Sequence, residues 1–393
     1  MPLLPRRLEP EIRRAARQFP AVILTGPRRA GKTTLLRRLF PAARHVLLED
    51  PDVVARVRAD PRGFLDELPT PAILDEIQNA PELFAWVRTR IDAAPRRTGR
   101  WFITGSQEAP LMQGVTESLA GRAAVFQLLP FSRAESPRVS PWLGGFPEVV
   151  LRPAAARTWF RSYVQTYLER DVRAVSAIRD LAVFRRFLAL LASRCGQVLN
   201  KTDIAASMGV TVPTVGEWLG ILEVTGQVLL VPPYFENFGK RLIKSPKLYF
   251  TDSGLLCHLL GIESAAELER SPFLGAVFET FVAAEIVKQQ LAAGRSRELY
   301  FFRDQQGLEV DFVIPRGSGR LLFVEARASR TATPAMAEPL ARLVRAAGTK
   351  AAGALLVHRP ASSVAGMTAL RPEARAVSVD GLIEELARKP RRA

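Results

Sequence analysis

Ala21-Val22-Ile23-Leu24-Thr25-Gly26-Pro27-Arg28-Arg29-Ala30-Gly31-Lys32-Thr33-Thr34 is the stretch that decides the fold of this chain. Its first four residues are apolar without alternation, the pattern of a strand buried on both faces. The run from Thr34 to Phe40 places Leu35, Leu36 and Leu39 along one side of a helix. Between strand and helix, a glycine, four variable residues and Gly-Lys-Thr give the spacing of a phosphate-binding loop. Gly26 and Gly31 let the backbone curl so that its N–H groups converge on phosphate oxygens, and the helix start adds a positive dipole end. Gly26, Pro27, Arg28, Arg29, Ala30, Gly31, Lys32, Thr33 and Thr34 are therefore the candidate nucleotide contacts. Lys32 is expected to reach the β- and γ-phosphates and Thr33 to ligate Mg²⁺.

A second landmark lies downstream. Pro71-Ala72-Ile73-Leu74-Asp75-Glu76-Ile77-Gln78 is an apolar strand ending in two carboxylates. An aspartate at such a strand tip holds Mg²⁺ in phosphoryl-transfer sites, and a glutamate after it can polarise the attacking water. Neighbouring strand residues face opposite ways, so both reach one site only where the chain turns. Asp75 is the expected Mg²⁺ partner and Glu76 the expected general base, with helix capping as the competing role for Glu76. A third strand, Arg100 to Thr104, leads into Gly105-Ser106-Gln107, where Ser106 and Gln107 can sense the γ-phosphate or simply form the loop. Arg122, in Leu119-Ala120-Gly121-Arg122, is a candidate arginine finger across a subunit interface. Strands alternating with helices imply a parallel sheet covered on both faces, with nucleotide at the strand C-termini.

The composition narrows the class. The chain has 393 residues, 48% of them hydrophobic and 24% charged, as in a well-cored globular protein. No apolar stretch approaches a bilayer span and the N-terminus lacks a signal-peptide core, so no membrane partner and a cytoplasmic location are expected. Cys195 and Cys257 sit in apolar surroundings, and His45, His258 and His358 are scattered, which argues against a metal cluster. The formal net charge of +16 suits a polyanion such as DNA, although an arginine-rich composition produces the same number.

Pro130, Pro137, Pro141 and Gly144-Gly145-Phe146-Pro147 mark a change of organisation, followed by a helical connector that includes Glu169-Arg170-Asp171. From Phe184 to about Tyr234 the pattern reads as a winged helix-turn-helix. Asn200 caps a short helix, Gly209 makes the turn, and Thr214 to Val224 form the third helix. That helix offers Thr211, Thr214 and Glu217 but no arginine or lysine for base readout. The expected wing, Gln227 to Val231 paired with Lys247 to Phe250, brings Lys240, Arg241, Lys244 and Lys247 together as candidate DNA-phosphate contacts. In the last third, Glu285 on a helix, Asp311 on a strand and Glu325-Ala326-Arg327 on the next strand resemble the carboxylate set of metal-dependent nucleases. Arg327 stands where such a set has lysine, and arginine is a poor proton shuttle.

These pieces together resemble the bacterial and archaeal AAA-type ATPases that carry a C-terminal domain of unknown function with a nuclease-like fold. The likeness runs through the phosphate loop, Ile73 to Gln78, Thr104-Gly105-Ser106, Leu119 to Arg122, Leu129 to Ser132, Gly145 to Glu148, Tyr167 to Asp171, Tyr249 to Gly254, Gly275, Phe278-Glu279, Glu285, and Glu309 to Phe312 and on to Glu325. It implies an ATPase core, a winged-helix module and a restriction-endonuclease-like C-terminal domain, which with the helical connector gives an α/β protein of four parts. These are an AAA-type P-loop ATPase core over 1–135, a helical lid over 136–183, a winged helix-turn-helix over 184–252 and a restriction-endonuclease-like α/β domain over 253–393. ATP over GTP rests on the resemblance. The expected function is an Mg²⁺-dependent ATPase that couples its cycle to processing or remodelling duplex or branched DNA, as a homo-oligomer. Two alternatives stay open: a nucleotide-gated switch that recruits a protein partner, and an ATP-regulated nuclease.

Overall fold

The computed structural model describes residues 4–105, 118–168, 181–234, 245–360 and 368–388. The chain divides into two compact units. One comprises Met1–Phe131, Gly220–Gln227 and Leu291–Arg295, and the other Ser132–Leu219, Val228–Gln290 and Ser296–Ala393.

The first unit is built on a parallel sheet of five strands: β1 (Ala21–Thr25), β2 (Arg44–Leu47), β3 (Ala72–Asp75), β4 (Trp101–Thr104) and β5 (Ala123–Gln127). Their order is β2-β3-β4-β1-β5, with β1 in register against β4 on one side and β5 on the other. The unbroken apolar run of β1 follows from that position. Ala21 and Ile23 pack into one core layer, and Val22 and Leu24 into the layer on the opposite face. Helices supply the other half of each layer, including Leu35, Leu36 and Leu39 from the helix Lys32–Leu39 on the side of Val22.

Parallel strands bring all their C-termini to one edge. The loop after β1, Asp75 at the end of β3 and Thr104 at the end of β4 therefore meet, although 79 positions separate Thr25 from Thr104 in sequence. At this edge β4 lies between β1 and β3, so Thr104 sits between the phosphate loop and the aspartate strand.

Helices Leu181–Ser193, Lys201–Met208 and Val212–Val224, the last belonging to the second unit only as far as Leu219, precede an antiparallel hairpin of β6 (Val228–Val231) and β7 (Lys247–Phe250). Asn200 caps the second helix, its side chain accepting from the N–H groups of Thr202 and Asp203 at 3.1 Å each, and Gly209 ends it in the left-handed region. Phe184 and Phe187 pack edge-on against Trp218, which fixes the first of these helices on the third.

A mixed six-stranded sheet completes the unit: β8 (Tyr300–Arg303), β9 (Glu309–Pro315), β10 (Leu321–Ala326), β11 (Ala351–Val357), β12 (Thr368–Arg371) and β13 (Ala374–Val377). Its order is β12-β13-β11-β10-β9-β8. Gly307, at φ 84°, lies in the tight turn between β8 and β9. Backbone bonds tie the segment after β6 to this sheet. Tyr234 N–H donates to Phe301 at 2.7 Å, and Phe301 N–H donates to Pro232 at 3.1 Å. Among the described residues, no helix is long and apolar enough to cross a membrane.

Candidate functional site

The sheet edge of the first unit assembles the candidate phosphate-site residues. Gly26 has φ 134°, and a Cβ there would lie 2.1 Å from the carbonyl oxygen of Leu128, so only glycine passes this point. Gly31 (φ 93°) and Arg29 (φ 63°) complete the curl into the helix Lys32–Leu39. Lys32 is buried, its ammonium donating to the carbonyls of Gly26 at 2.9 Å and Pro27 at 3.1 Å, so the side chain folds across its own loop. Arg6 braces the loop from behind. Its guanidinium donates to the carbonyls of Ala30 at 2.9 Å and Leu129 at 2.6 Å, and lies 4.6 Å from the centre of the Phe131 ring.

Thr33 Oγ1 donates to Asp75 Oδ1 at 2.7 Å, closing the distance between loop and strand tip. Thr104 Oγ1 donates to the same carboxylate oxygen and accepts from the Glu76 N–H at 3.1 Å. His45 Nε2 lies 3.2 Å from Asp75 Oδ2. Glu76 takes a left-handed backbone (φ 57°, ψ 53°) at the start of the turn Ile77–Asn79. That turn brings both carboxylates to one edge, and a non-glycine residue there costs about 1–3 kcal/mol, a strain typical of functional sites. Gln78 donates to Glu76 Oε2, and the Arg28 guanidinium lies 4.0 Å from that oxygen.

A hydroxyl and a carboxylate are hard oxygen donors of the kind Mg²⁺ takes, so Thr33 and Asp75 fit that ion. The glycine-restricted curl above them fits a phosphate chain.

Thr104, His45 and Arg6 were not singled out by sequence reasoning. The signal for Thr104 was present, a polar residue closing an apolar strand. That for His45 and Arg6 was not, because both partnerships depend on tertiary packing. Arg122 forms a two-pronged pair with Asp92 of its own unit at 2.6 and 3.1 Å, which lowers the Asp92 carboxyl pKa. Ser106 and Gln107 lie outside the described residues, as do Glu169-Arg170-Asp171 and three of the expected wing cations, Lys240, Arg241 and Lys244.

The C-terminal carboxylates correct two expectations. Glu285 is fully buried away from the set, accepting from the Arg133 N–H at 2.9 Å and pairing with Lys288 at 3.3 Å. Burial raises its pKa. Glu279, not Glu285, shares Lys247 with Asp311. It sits six residues earlier on the helix Leu274–Ala292, and about 1.7 turns rotate it onto a different face. Lys247 is the second correction. It is 2% exposed, so it is no phosphate contact on a wing. Its Nζ lies 3.2 Å from Glu279 Oε1, 2.6 Å from Glu309 Oε1 and 3.3 Å from Asp311 Oδ1. Asp311 Oδ2 accepts from the Ala326 N–H at 3.0 Å, Glu325 Oε2 accepts from the Asp311 N–H at 3.3 Å, and Arg327 pairs with Glu325. A divalent ion does not fit this arrangement. An ammonium already lies among the carboxylates, and among the described residues no three acidic, histidine or cysteine side chains converge as a metal site.

Residues 18–136 match the AAA domain model. Two uncharacterized mycobacterial proteins, from Mycobacterium tuberculosis and Mycobacterium bovis, are each 35% identical over 336 residues, spanning 84% of this chain and 74% of theirs. The chain belongs to the same family as these two proteins and carries an AAA domain over residues 18–136. In this AAA-type protein, residues 274–366 match the domain of unknown function DUF4143 and residues 141–266 the domain of unknown function DUF8612. A Walker-type ATPase of Pyrococcus abyssi aligns with 64% of the chain and 94% of its own at 16% identity, with a TM-score of 0.41, a likeness too loose to bear on function.

Proposed function

We propose that this protein is an Mg²⁺-dependent ATPase that couples nucleotide turnover to its grip on DNA. The contact of Thr33 with Asp75 carries the enzymatic part of the reading, because it brings the two magnesium-type donors together beside the phosphate loop. When bound, Mg²⁺ supplies charge neutralisation to the transferring phosphoryl group. Lys32 leaves its loop carbonyls for the β- and γ-phosphates, and the loop N–H groups orient the phosphate chain. Glu76 accepts a proton from the attacking water, with Gln78 and Arg28 holding its carboxylate. Arg122 is the proposed finger for a neighbouring subunit of a homo-oligomer, a role that requires it to exchange Asp92 for phosphate.

The DNA part rests on the net charge of +16 and on three helices followed by a hairpin, the order of a winged helix-turn-helix. Lys240, Arg241 and Lys244 are its phosphate contacts. Lys247, being buried, is not one of them. ATPase rate measured with duplex, single-stranded and branched DNA across a salt series tests this reading. Stimulation that fades steeply with salt is the expected result. ATP turnover indifferent to every DNA favours a nucleotide-gated switch for a protein partner, and absence of turnover overturns the ATPase reading itself.

A further inference from the structure

We propose that the Lys247 ammonium is the resident cation of the Glu279–Glu309–Asp311–Glu325 cluster, standing where a nuclease-like site would hold a divalent ion. The C-terminal domain is then a metal-free latch rather than a cutting centre.

Geometry carries the assignment. Lys247 Nζ has carboxylate oxygens of three residues within 3.3 Å, so its three protons have three acceptors. A divalent ion would need the same oxygens at about 2.0–2.6 Å, and the ammonium beside it would repel it through a poorly screened medium. The position of Lys247 is fixed by backbone. It is paired with Val231 in the hairpin and bridged to Val198 on its other side. Two residues on, on the same face of β7, Tyr249 is also buried and donates its hydroxyl to Glu279 at 2.6 Å.

Two further cations at the cluster are committed as well, since Arg327 pairs with Glu325 and Arg303 lies 3.4 Å from Glu309. Glu325-Ala326-Arg327 therefore lacks the lysine that would activate water, and the lysine that is present comes from another part of the chain and neutralises the carboxylates. Ordering hairpin β6–β7 against β9 and the helix Leu274–Ala292 is the work this network does.

Mn²⁺ binding to the full chain without nucleotide tests the inference, read by the paramagnetic resonance of free Mn²⁺. The wild type is expected to hold no ion that Asp311→Asn removes. Lys247→Ala is expected to gain one ion per chain, lost again in the Lys247→Ala, Asp311→Asn double variant. A wild-type ion sensitive to Asp311→Asn overturns the inference, as does a folded Lys247→Ala chain that gains none. Amine acylation of the wild type, mapped by mass spectrometry, provides a readout that survives misfolding of the variant. Lys247 is expected to stay protected with and without excess Mg²⁺, and labelling that rises with Mg²⁺ overturns the assignment.

Discussion

At the scale of single residues, the roles proposed for Lys32 and Glu76 separate binding from chemistry. Lys32 is the buried cation of the phosphate loop, so Lys32→Ala is expected to abolish ATP turnover and weaken nucleotide binding, measured by steady-state hydrolysis and by titration with a fluorescent nucleotide. Glu76 is the proposed base, with its carboxylate 4.0 Å from Arg28 and its backbone turned at the strand end. Glu76→Gln keeps the shape and removes the proton acceptor. It is expected to leave nucleotide binding near wild type while kcat falls by about 10²–10⁴, the range usual for a general base. Both residues were legible because their signals are local: a glycine-bounded loop, and two carboxylates ending an apolar run. Thr104 and His45 converge on the same Asp75 carboxylate from 29 and 30 positions away, and no local pattern announces that meeting.

At the scale of elements, the phosphate loop owes its shape to a brace outside its motif. Arg6 holds the carbonyl of Ala30 from a segment that precedes the first strand. Losing its charge-assisted bonds is worth about 1.5–3 kcal/mol each, so Arg6→Ala is expected to raise the KM for ATP roughly tenfold or more while kcat changes less. Equal loss in kcat at unchanged KM would place Arg6 in the chemical step instead. The helix Leu274–Ala292 shows the opposite limit of sequence reading. It is buried along most of its length, so apolar periodicity does not mark a face, and no pattern showed that Glu285 faces away from Asp311. Asn200 and Gly209 were readable as cap and stop because capping chemistry is encoded within a few residues.

At the scale of the whole molecule, the carboxylate cluster sets a pH signature for the second unit. Burial first, and Asp311 next, push Glu279 up to about 7 and Glu325 up to about 9. Lys247 is drawn down by burial, but Glu279, Asp311 and Glu309 outweigh that and raise it above its ordinary range. The folded chain therefore keeps carboxyl protons that the unfolded chain releases near 4.5. Their stabilisation is complete below that value and is lost as pH rises through about 7 and then about 9. The melting transition of this unit is expected to move to lower temperature across that window, and Glu325→Gln should flatten the upper part, as followed by calorimetry. By itself the sequence determined the P-loop strand and helix, the Asp75–Glu76 strand tip, the capped helices and the basic balance, because each is encoded by neighbours in the chain. Only the tertiary structure decided that Glu279, not Glu285, shares Lys247 with Asp311 and that Lys247 faces inward. Its partners lie 32 to 64 positions away, and whether a lysine meets water or carboxylates depends on which strand packs beside its own.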